Sequence, residues 1–239
     1  MNNKIINKNK IKKNRMNFND LAPNYDKCMN KSFYNLRIRL LTGLIKKINP
    51  EYVLEVGCGT GIFLDNLSSH FKKGFGIDVS SEMIRMAETH HKKPNLNYLV
   101  CKDETIPFSN SKFDLVLSQG VIEYVNSPKK HIDEMLRVLK KNGYLVLITL
   151  NGNMSIPYKI LEKIGKAIKS PKFRDLKMME LRNLIDYKGA EVIVHKILFF
   201  NPMNFAFLNP AFDLVNIIVP KFLKKYMLGM QYLVVRKKD

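Results

Sequence analysis

The chain predicts an α/β fold, a mostly parallel sheet with helices on both faces, and three observations carry that expectation. Short apolar runs alternate with amphipathic stretches along most of the 239 residues, the pattern left by repeated strand-helix-strand units. The first run, Tyr52-Val53-Leu54, opens into Glu55-Val56-Gly57-Cys58-Gly59-Thr60-Gly61, a turn whose glycines let backbone come closer to a ligand than any side chain would permit. A second run, Gly74 to Ile77, is closed by Asp78, seventeen residues beyond Gly61. A carboxylate at the tip of the next parallel strand accepts from vicinal hydroxyls such as those of a ribose.

The elements follow in order. Residues 1–16 hold Lys4, Lys8, Lys10, Lys12, Lys13 and Arg15 with several Asn and no acid. No seven-residue apolar stretch follows, so they read as a solvated, disordered basic tail and not a secretory signal. From 17 to 239 the chain is long enough for one well-buried domain. Phe33, Leu36, Leu40, Leu41, Leu44, Ile45 and Ile48 recur at helical spacing, predicting a lead-in helix over Ser32–Ile48. Strands are expected at Tyr52–Val56, Gly74–Asp78, Leu96–Val100, Phe113–Ser118 and Tyr144–Leu150, with helices at Ile62–Phe71, Ser81–His91 and Lys129–Leu139 between them. Ser80 or Ser81 supplies an N-cap, Glu82 complements the helix dipole, and Asn142-Gly143 turns the chain into the fifth strand. A basic amphipathic stretch then interleaves Ile156, Ile160 and Ile164 with Lys159, Lys163 and Lys166. Met178–Tyr187 reads as a helix and Glu191–Leu198 as strand six. A second apolar segment, Phe199–Tyr226, is broken by Pro202, Pro210 and Pro220, which argues against a membrane span. Met230–Val235 is a final β-prone run.

Composition narrows the classes without choosing one. Forty Lys and Arg against 21 Asp and Glu give a formal charge of +19, which fits a nucleic acid or an anionic membrane surface. The excess is mostly lysine beside many Asn and Ile, which A/T-rich coding also produces, so both readings stay open. Cys28, Cys58 and Cys101 are odd in number and lack C-x-x-C spacing; they suit a reducing cytoplasm and imply neither a disulfide framework nor a zinc site.

A dinucleotide fold would prefer G-x-G-x-x-G aimed at a pyrophosphate. Here the glycines run G-x-G-x-G, with an acid two residues before the first, which suits a cofactor that has no phosphate and a cationic sulfonium and amino-acid end. On these residues the chain resembles the class I S-adenosylmethionine-dependent methyltransferases, and more narrowly their small-molecule, quinone-biosynthesis branch. The resemblance implies a Rossmann-like seven-stranded sheet whose last strand is antiparallel and inserted between strands five and six. It also implies helical or apolar cap insertions near 151–175 and 199–226, and S-adenosyl-L-methionine as cofactor. By the same resemblance Gly57, Cys58, Gly59 and Gly61 line the methionine end and Glu55 sits beside it. Tyr25 folds over that end, Asp78 holds the ribose hydroxyls, and Val79 and Met83 flank the adenine. Asp103 and Glu104 belong to the acidic loop after strand three, while Ser118 and Gln119 contact the donor from strand four.

For the reaction itself, Glu123 and Tyr124 are the candidate catalytic residues, facing the acceptor. Quinone-type relatives often carry Glu-His there with a further acid three positions earlier; this chain has Tyr124 and Gly120 in those places, so no divalent metal is expected. His131 is expected at the surface, His70, His90 and His91 at helix ends, and His195 without a partner. Methyl transfer depends chiefly on alignment, worth roughly 7–11 kcal/mol, so the donor site is more legible than the acceptor site. The expected activity is transfer of a methyl group to a small, apolar or lipid-linked acceptor, with peripheral contact to an anionic membrane as one use of the charge. Two other classes compete: an RNA or other nucleic-acid methyltransferase, disfavoured because no Asn/Asp-Pro-Pro-aromatic element follows strand four, and a catalytically silent cofactor-binding scaffold. The chain does not specify an oligomeric state.

Overall fold

The computed structural model describes residues 18–103, 105–150, 176–186, 189–198, 218 and 229–238. The basic tail, Glu104 and the insertions expected near 151–175 and 199–226 lie outside the described residues, apart from the single position 218.

Seven strands form one sheet: β1 Tyr52–Val56, β2 Lys73–Asp78, β3 Leu96–Val100, β4 Phe113–Gln119, β5 Leu139–Leu150, β6 Ala190–Leu198 and β7 Met230–Lys237. Their order is β3-β2-β1-β4-β5-β7-β6. β1 to β5 are mutually parallel, and β7 slots between β5 and β6 antiparallel to both, the arrangement expected above. Both faces of the central strands are buried, which is why those strands read as nearly continuous apolar runs. Val53, Leu115, Leu117, Val146 and Ile148 point into one core layer with Leu41, Ile45, Phe63, Leu64 and Ile84. Leu54, Val56, Val116, Leu145 and Leu147 point into the other with Ile132, Met135, Leu136, Leu181 and Ile185.

Of the helices around the site, those beginning after Asn30, Ser80 and Ser127 are capped by these side chains. α1 is Phe18–Leu21 and α2 is Tyr25–Cys28, joined by a 3₁₀ turn at Ala22–Asn24. α3, Lys31–Ile48, starts where the Asn30 side chain accepts from the Phe33 N–H and ends at Asn49 in the left-handed region, where asparagine is tolerated. α4 covers only Ile62–Leu67 before tightening into a 3₁₀ turn at Ser68–His70, shorter than the helix predicted to Phe71. α5 is Ser81–His90, with Ser80 as its cap. α6 is Pro128–Val138, capped by Ser127 with proline in its first turn. α7 is Met178–Asp186. Strand five begins five residues earlier than expected: Lys140 to Gly143 stay in β5, and the register against β4 shifts between Phe113 and Leu115, so Asn142 at φ 60° is absorbed within the strand.

One buried polar knot closes the antiparallel half. Gln231 on β7 is fully buried; its Nε2 donates to the Leu150 and Leu176 carbonyls at 3.1 and 2.7 Å, and its Oε1 lies 3.0 Å from His195 Nε2. His195 therefore has the partner that the sequence did not reveal, thirty-six residues away. Burial depresses its pKa, and Gln231 opposes that shift. Gln231→Leu strands two buried carbonyls, so a loss of about 2–3 kcal/mol of unfolding free energy is expected in urea titration; a change below about 0.5 kcal/mol would mean that the two carbonyls find other donors.

Candidate functional site

The site is assembled at the carboxyl ends of β1, β2 and β4, where the sequence places its glycines and acids. β1 stops at Val56 because the next two N–H groups, of Gly57 and Cys58, both donate to the Ile77 carbonyl at 2.7 and 3.0 Å, folding the turn against β2. Gly57, Gly59 and Gly61 have φ of 74°, 54° and 81°. At Gly57 a Cβ would sit 2.2 Å from Val121 Cγ2, so space and dihedral both require glycine. At Gly59 only the dihedral does: a Cβ would make ordinary contacts with Tyr25 Cε1 at 3.6 Å and Met83 Sδ at 3.9 Å. Tyr25 and Met83 thus flank this stretch of backbone from two different helices.

Asp78 joins β2 to the turn. Its Oδ2 accepts from the Gly59 N–H and its Oδ1 from the Ser80 N–H, each at 2.9 Å. Burial raises its pKa, and the N–H groups of Ser80, Gly59 and Val79 oppose the rise. Each oxygen keeps a lone pair for a further donor. The Cys101 N–H donates to the Asp78 carbonyl at 2.8 Å, which hangs the loop after β3 beside this carboxylate. Asp103 on that loop is exposed, and its carbonyl accepts from the Cys101 thiol at 3.4 Å. Val79 is 59% exposed at the rim and Met83 is buried.

The strongest electrostatic feature lies deeper. Glu55 on β1 is buried, and Gln119 Nε2 on β4 donates to its Oε1 at 2.8 Å. Glu55 Oε2 and Gln119 Oε1 are both buried without a hydrogen-bond partner. Burial pushes Glu55 up to about 8, with the Gln119 bond and the Arg37 charge opposing and Asp78 adding to the shift. Arg37 comes from α3, its guanidinium centred 4.2 Å from the Phe33 ring and 4.3 Å from the Phe63 ring. Its Nε is buried and unpartnered, and burial lowers its pKa to about 10. Two orphan acceptors and an orphan cationic donor suit a zwitterionic α-amino acid, whose ammonium donates three hydrogen bonds and whose carboxylate accepts from a guanidinium. The methionine end of S-adenosyl-L-methionine has that chemistry, so the residues present fit it.

Arg37 escaped the sequence reading, although a signal existed. It falls four residues after Phe33 and four before Leu41, inside the apolar stripe of an amphipathic helix, where a charge needs a reason.

The lead-in segment is clipped across the turn. Thr60 Oγ1 donates to Asp26 Oδ1 at 2.6 Å, and Ser80 Oγ donates to Asn19 Oδ1 at 2.6 Å. The same Ser80 hydroxyl accepts from the Met83 N–H at 3.1 Å. The Phe18 ring meets Tyr124 edge-on at 5.5 Å, so α1 reaches the loop after β4 as well as the start of α5.

Among the remaining expected residues, His131 departs from the surface position expected for it. The Cys58 side chain turns under the loop, with Sγ against Gly76 and its neighbour Tyr98 and 3.6 Å from the Gly59 carbonyl, and burial raises its thiol pKa well above the usual value. Glu123 is buried and accepts from the Leu150 N–H at 2.7 Å. Burial raises its pKa against that bond, and its carboxyl ties the loop after β4 to the end of β5. His131, expected at the surface, is half-buried with Nε2 3.3 Å from Ser118 Oγ. His91 does more than close a helix: its Nδ1 lies 2.7 Å from Asp65 Oδ2 and its Nε2 3.6 Å from Asp26 Oδ2. Although burial raises the Asp65 pKa, hydrogen bonds from His91 and Lys93 hold it below the usual range. Among the described residues no group of three or more His, Cys, Asp or Glu side chains is placed to hold a metal ion, and no helix is long and apolar enough to cross a membrane.

Comparison with known proteins places this geometry. Residues 54–147 match a family model described as a methyltransferase domain. The chain is 32% identical over 171 residues to an uncharacterised protein of Methanocaldococcus jannaschii, covering 71% of this chain and 77% of the relative. It is also 32% identical over 137 residues to a ubiquinone biosynthesis O-methyltransferase of Pelagibacter ubique, where the match spans only 55% of that enzyme. In fold, it superposes with a TM-score of 0.67 and 19% identity on a chain solved in complex with the Haloferax volcanii Trm112 methyltransferase activator, covering 94% of this chain and 99% of that one. A SAM-dependent methyltransferase of Thermotoga maritima superposes at 0.61 with 20% identity, over 92% and 98% of the two chains.

Proposed function

Because the chain belongs to the class I S-adenosylmethionine-dependent methyltransferases, we propose that it methylates a small apolar or lipid-linked acceptor by in-line displacement. The observation that carries the donor half is the buried trio of Glu55, Gln119 and Arg37 with its three unpartnered polar atoms. In this reading Glu55 and Gln119 take the amino-acid ammonium and Arg37 its carboxylate. Asp78 accepts from the ribose hydroxyls, Val79 and Met83 border the adenine, Asp103 and Glu104 belong to its loop, and Tyr25 covers the backbone of Gly57 to Gly61. Bound S-adenosyl-L-methionine supplies an electrophilic methyl on a sulfonium: the acceptor's lone pair forms the new bond, the carbon–sulfur pair stays on sulfur, and the acceptor loses its proton to solvent or to a neighbouring base. The protein's part is to align the reactants and exclude water.

The acceptor half rests on apolar surface beside the turn. Leu21 and Tyr25 are exposed and border a cavity of about 360 Å³ with Asp20, Asn24 and Met29. The Pelagibacter ubiquinone enzyme and a Hahella chejuensis malonyl-[acyl-carrier protein] O-methyltransferase, 31% identical over 112 residues, support a carrier-borne or ring-bearing acceptor. Tyr124 is the residue proposed to face it, with Glu123 positioning its loop and Ser118 and Gln119 the strand tip behind. A reducing cytoplasm suits these cysteines, with the acceptor side free to visit an anionic membrane.

Incubation with methyl-labelled donor and three acceptor pools, quinone precursors, acylated carrier protein and total RNA, separates the readings. Label in a small or carrier-linked product, with S-adenosylhomocysteine in equal amount, is the expected result. Label confined to RNA would move the chain to the nucleic-acid class, and donor binding without S-adenosylhomocysteine from any pool would make it a scaffold.

A further inference from the structure

Lysine in this molecule is gathered at one end of the sheet. The carboxyl ends of the strands carry the acids Asp78, Glu82 and Asp103 together with Lys102, Lys129 and Lys130, and burial raises the pKa of the Glu55 and Glu123 carboxyls there. The amino ends carry lysine. Lys46 and Lys47 close α3 just before β1, Lys72 and Lys73 lead into β2, and Lys140 and Lys141 lie in the opening of β5. β7 runs the other way, so its last residues return to the same end: Arg236 pairs with Tyr144 and Lys237 with Ala190. Codon bias adds lysine without regard to strand direction; it accounts for the number of lysines and not for this polarity.

Glu51, Asp114 and Glu191 share that pole, the last opposite Arg236 across β6 and β7, and they are outnumbered by its cations. Glu51 lies 3.9 Å from Lys72 with both side chains exposed, and Asp114 takes Lys140 at 2.7 Å. Lys237 donates to the Leu136 and Leu139 carbonyls; burial lowers its pKa, and the nearby charge of Lys141 lowers it further. Lys46, Lys47, Lys73, Lys141 and Lys238 are exposed, with no carboxylate within ion-pair distance among the described residues. Beside them a concavity of about 190 Å³ opens, walled by Asn49, Lys140, Lys141 and Asn142 and by the acids Glu51 and Asp114, of which Asp114 is paired with Lys140.

We infer that this pole is a docking surface for the phosphate backbone of nucleic acid, engaged without regard to base sequence and acting as a tether with the cofactor turn facing away. From β2 to β7 the cations cross four strand spacings, about 19 Å, the rise of about six nucleotides along one strand of a B-form duplex. A bilayer fits less well. Peripheral membrane contacts combine basic side chains with apolar insertion, and none of the exposed large apolar side chains of the described residues lies in these strand entries. The inference is independent of the acceptor, since the pole and the glycine turn occupy opposite ends of the sheet.

The test uses the full chain and a fluorescein-labelled 20-nucleotide oligouridylate, with anisotropy read from 50 to 250 mM KCl. A pole variant combines Lys46→Glu, Lys73→Glu and Lys141→Glu; a control of equal charge combines Lys31→Glu, Lys130→Glu and Lys196→Glu. The pole variant should bind at least about 10-fold more weakly at 100 mM KCl, with a log–log salt slope shallower by about 2, while donor affinity by calorimetry is unchanged. The control should stay within about 3-fold of the parent. Protection of Lys46, Lys73 and Lys141 from acetylation by bound RNA, read by mass spectrometry on the unsubstituted chain, gives the same answer without relying on variants. Equal losses in both variants would reduce the effect to diffuse net charge and overturn the inference, as would capture by phosphatidylserine vesicles with no salt-dependent RNA binding.

Discussion

Asp78→Ala should weaken binding of S-adenosyl-L-methionine by roughly 100-fold or more, the equivalent of losing charge-assisted hydrogen bonds to two hydroxyls. The change also releases the Gly59 and Ser80 N–H groups that the carboxylate holds at 2.9 Å, so part of the loss comes from a loosened turn. Asp78→Asn separates the contributions. Its amide keeps the size and one acceptor oxygen, so the turn should survive while the second hydroxyl loses its anionic partner, leaving an intermediate affinity. Isothermal calorimetry with donor and with S-adenosylhomocysteine reads both, and thermal melting reports the turn. Near-normal affinity in Asp78→Ala would remove the ribose from this strand tip.

The second large effect concerns Glu55, whose carboxyl is held at about 8 against an ordinary 4.5. A carboxyl raised in the folded state binds its proton more tightly there than in the unfolded chain. The stability it contributes is complete below about pH 4.5 and is lost as pH rises through about 8. The donor-free protein should therefore lose about 2–4 kcal/mol between pH 5 and pH 9 relative to Glu55→Gln, measurable by urea titration at both pH values. Donor binding reverses the preference. An ammonium against Glu55 Oε2 favours the ionised form, so binding near pH 7 should expel a proton into the buffer. Calorimetry in phosphate and in Tris would then give different apparent enthalpies, and Glu55→Gln should abolish the difference and bind about 10- to 100-fold more weakly. Identical enthalpies in the two buffers for the unsubstituted protein would show that Glu55 does not change its ionisation on binding.

Much of the candidate site's backbone geometry was legible because it is local. Gly57, Gly59, Gly61 and Asp78 lie in turns and strand tips whose conformation is dictated within a few residues, and the helix cap at Ser80 is likewise a short-range matter. The Glu55–Gln119 pair spans 64 positions. Both residues were expected near the donor, yet nothing in their spacing told that one would donate to the other while each kept a buried oxygen unpaired. Arg37 shows the opposite failure. Its anomaly was visible as a charge in an apolar stripe, but its relevance required knowing that α3 delivers that stripe toward Glu55 and Phe63. Glu123 was expected to face the acceptor from its resemblance to the Glu-His position of quinone-type relatives. No local pattern revealed that one of its oxygens would accept from the backbone N–H of Leu150, 27 residues on, while the other stays buried without a partner.

By itself the sequence determined the strand-helix alternation, the glycine turn and the acid at the second strand tip, because periodicity, dihedral tolerance and capping depend on neighbours along the chain; the antiparallel closing strand followed from the family resemblance. Only the tertiary structure decided which charged groups lose water and which find partners: the buried acid and amide over the turn, the guanidinium between two phenylalanine rings, the histidines bound to Ser118 and Gln231, and the gathering of lysines at one pole. Desolvation and long-range electrostatics depend on everything packed around a group in space, and that neighbourhood exists only once the strands have taken their order.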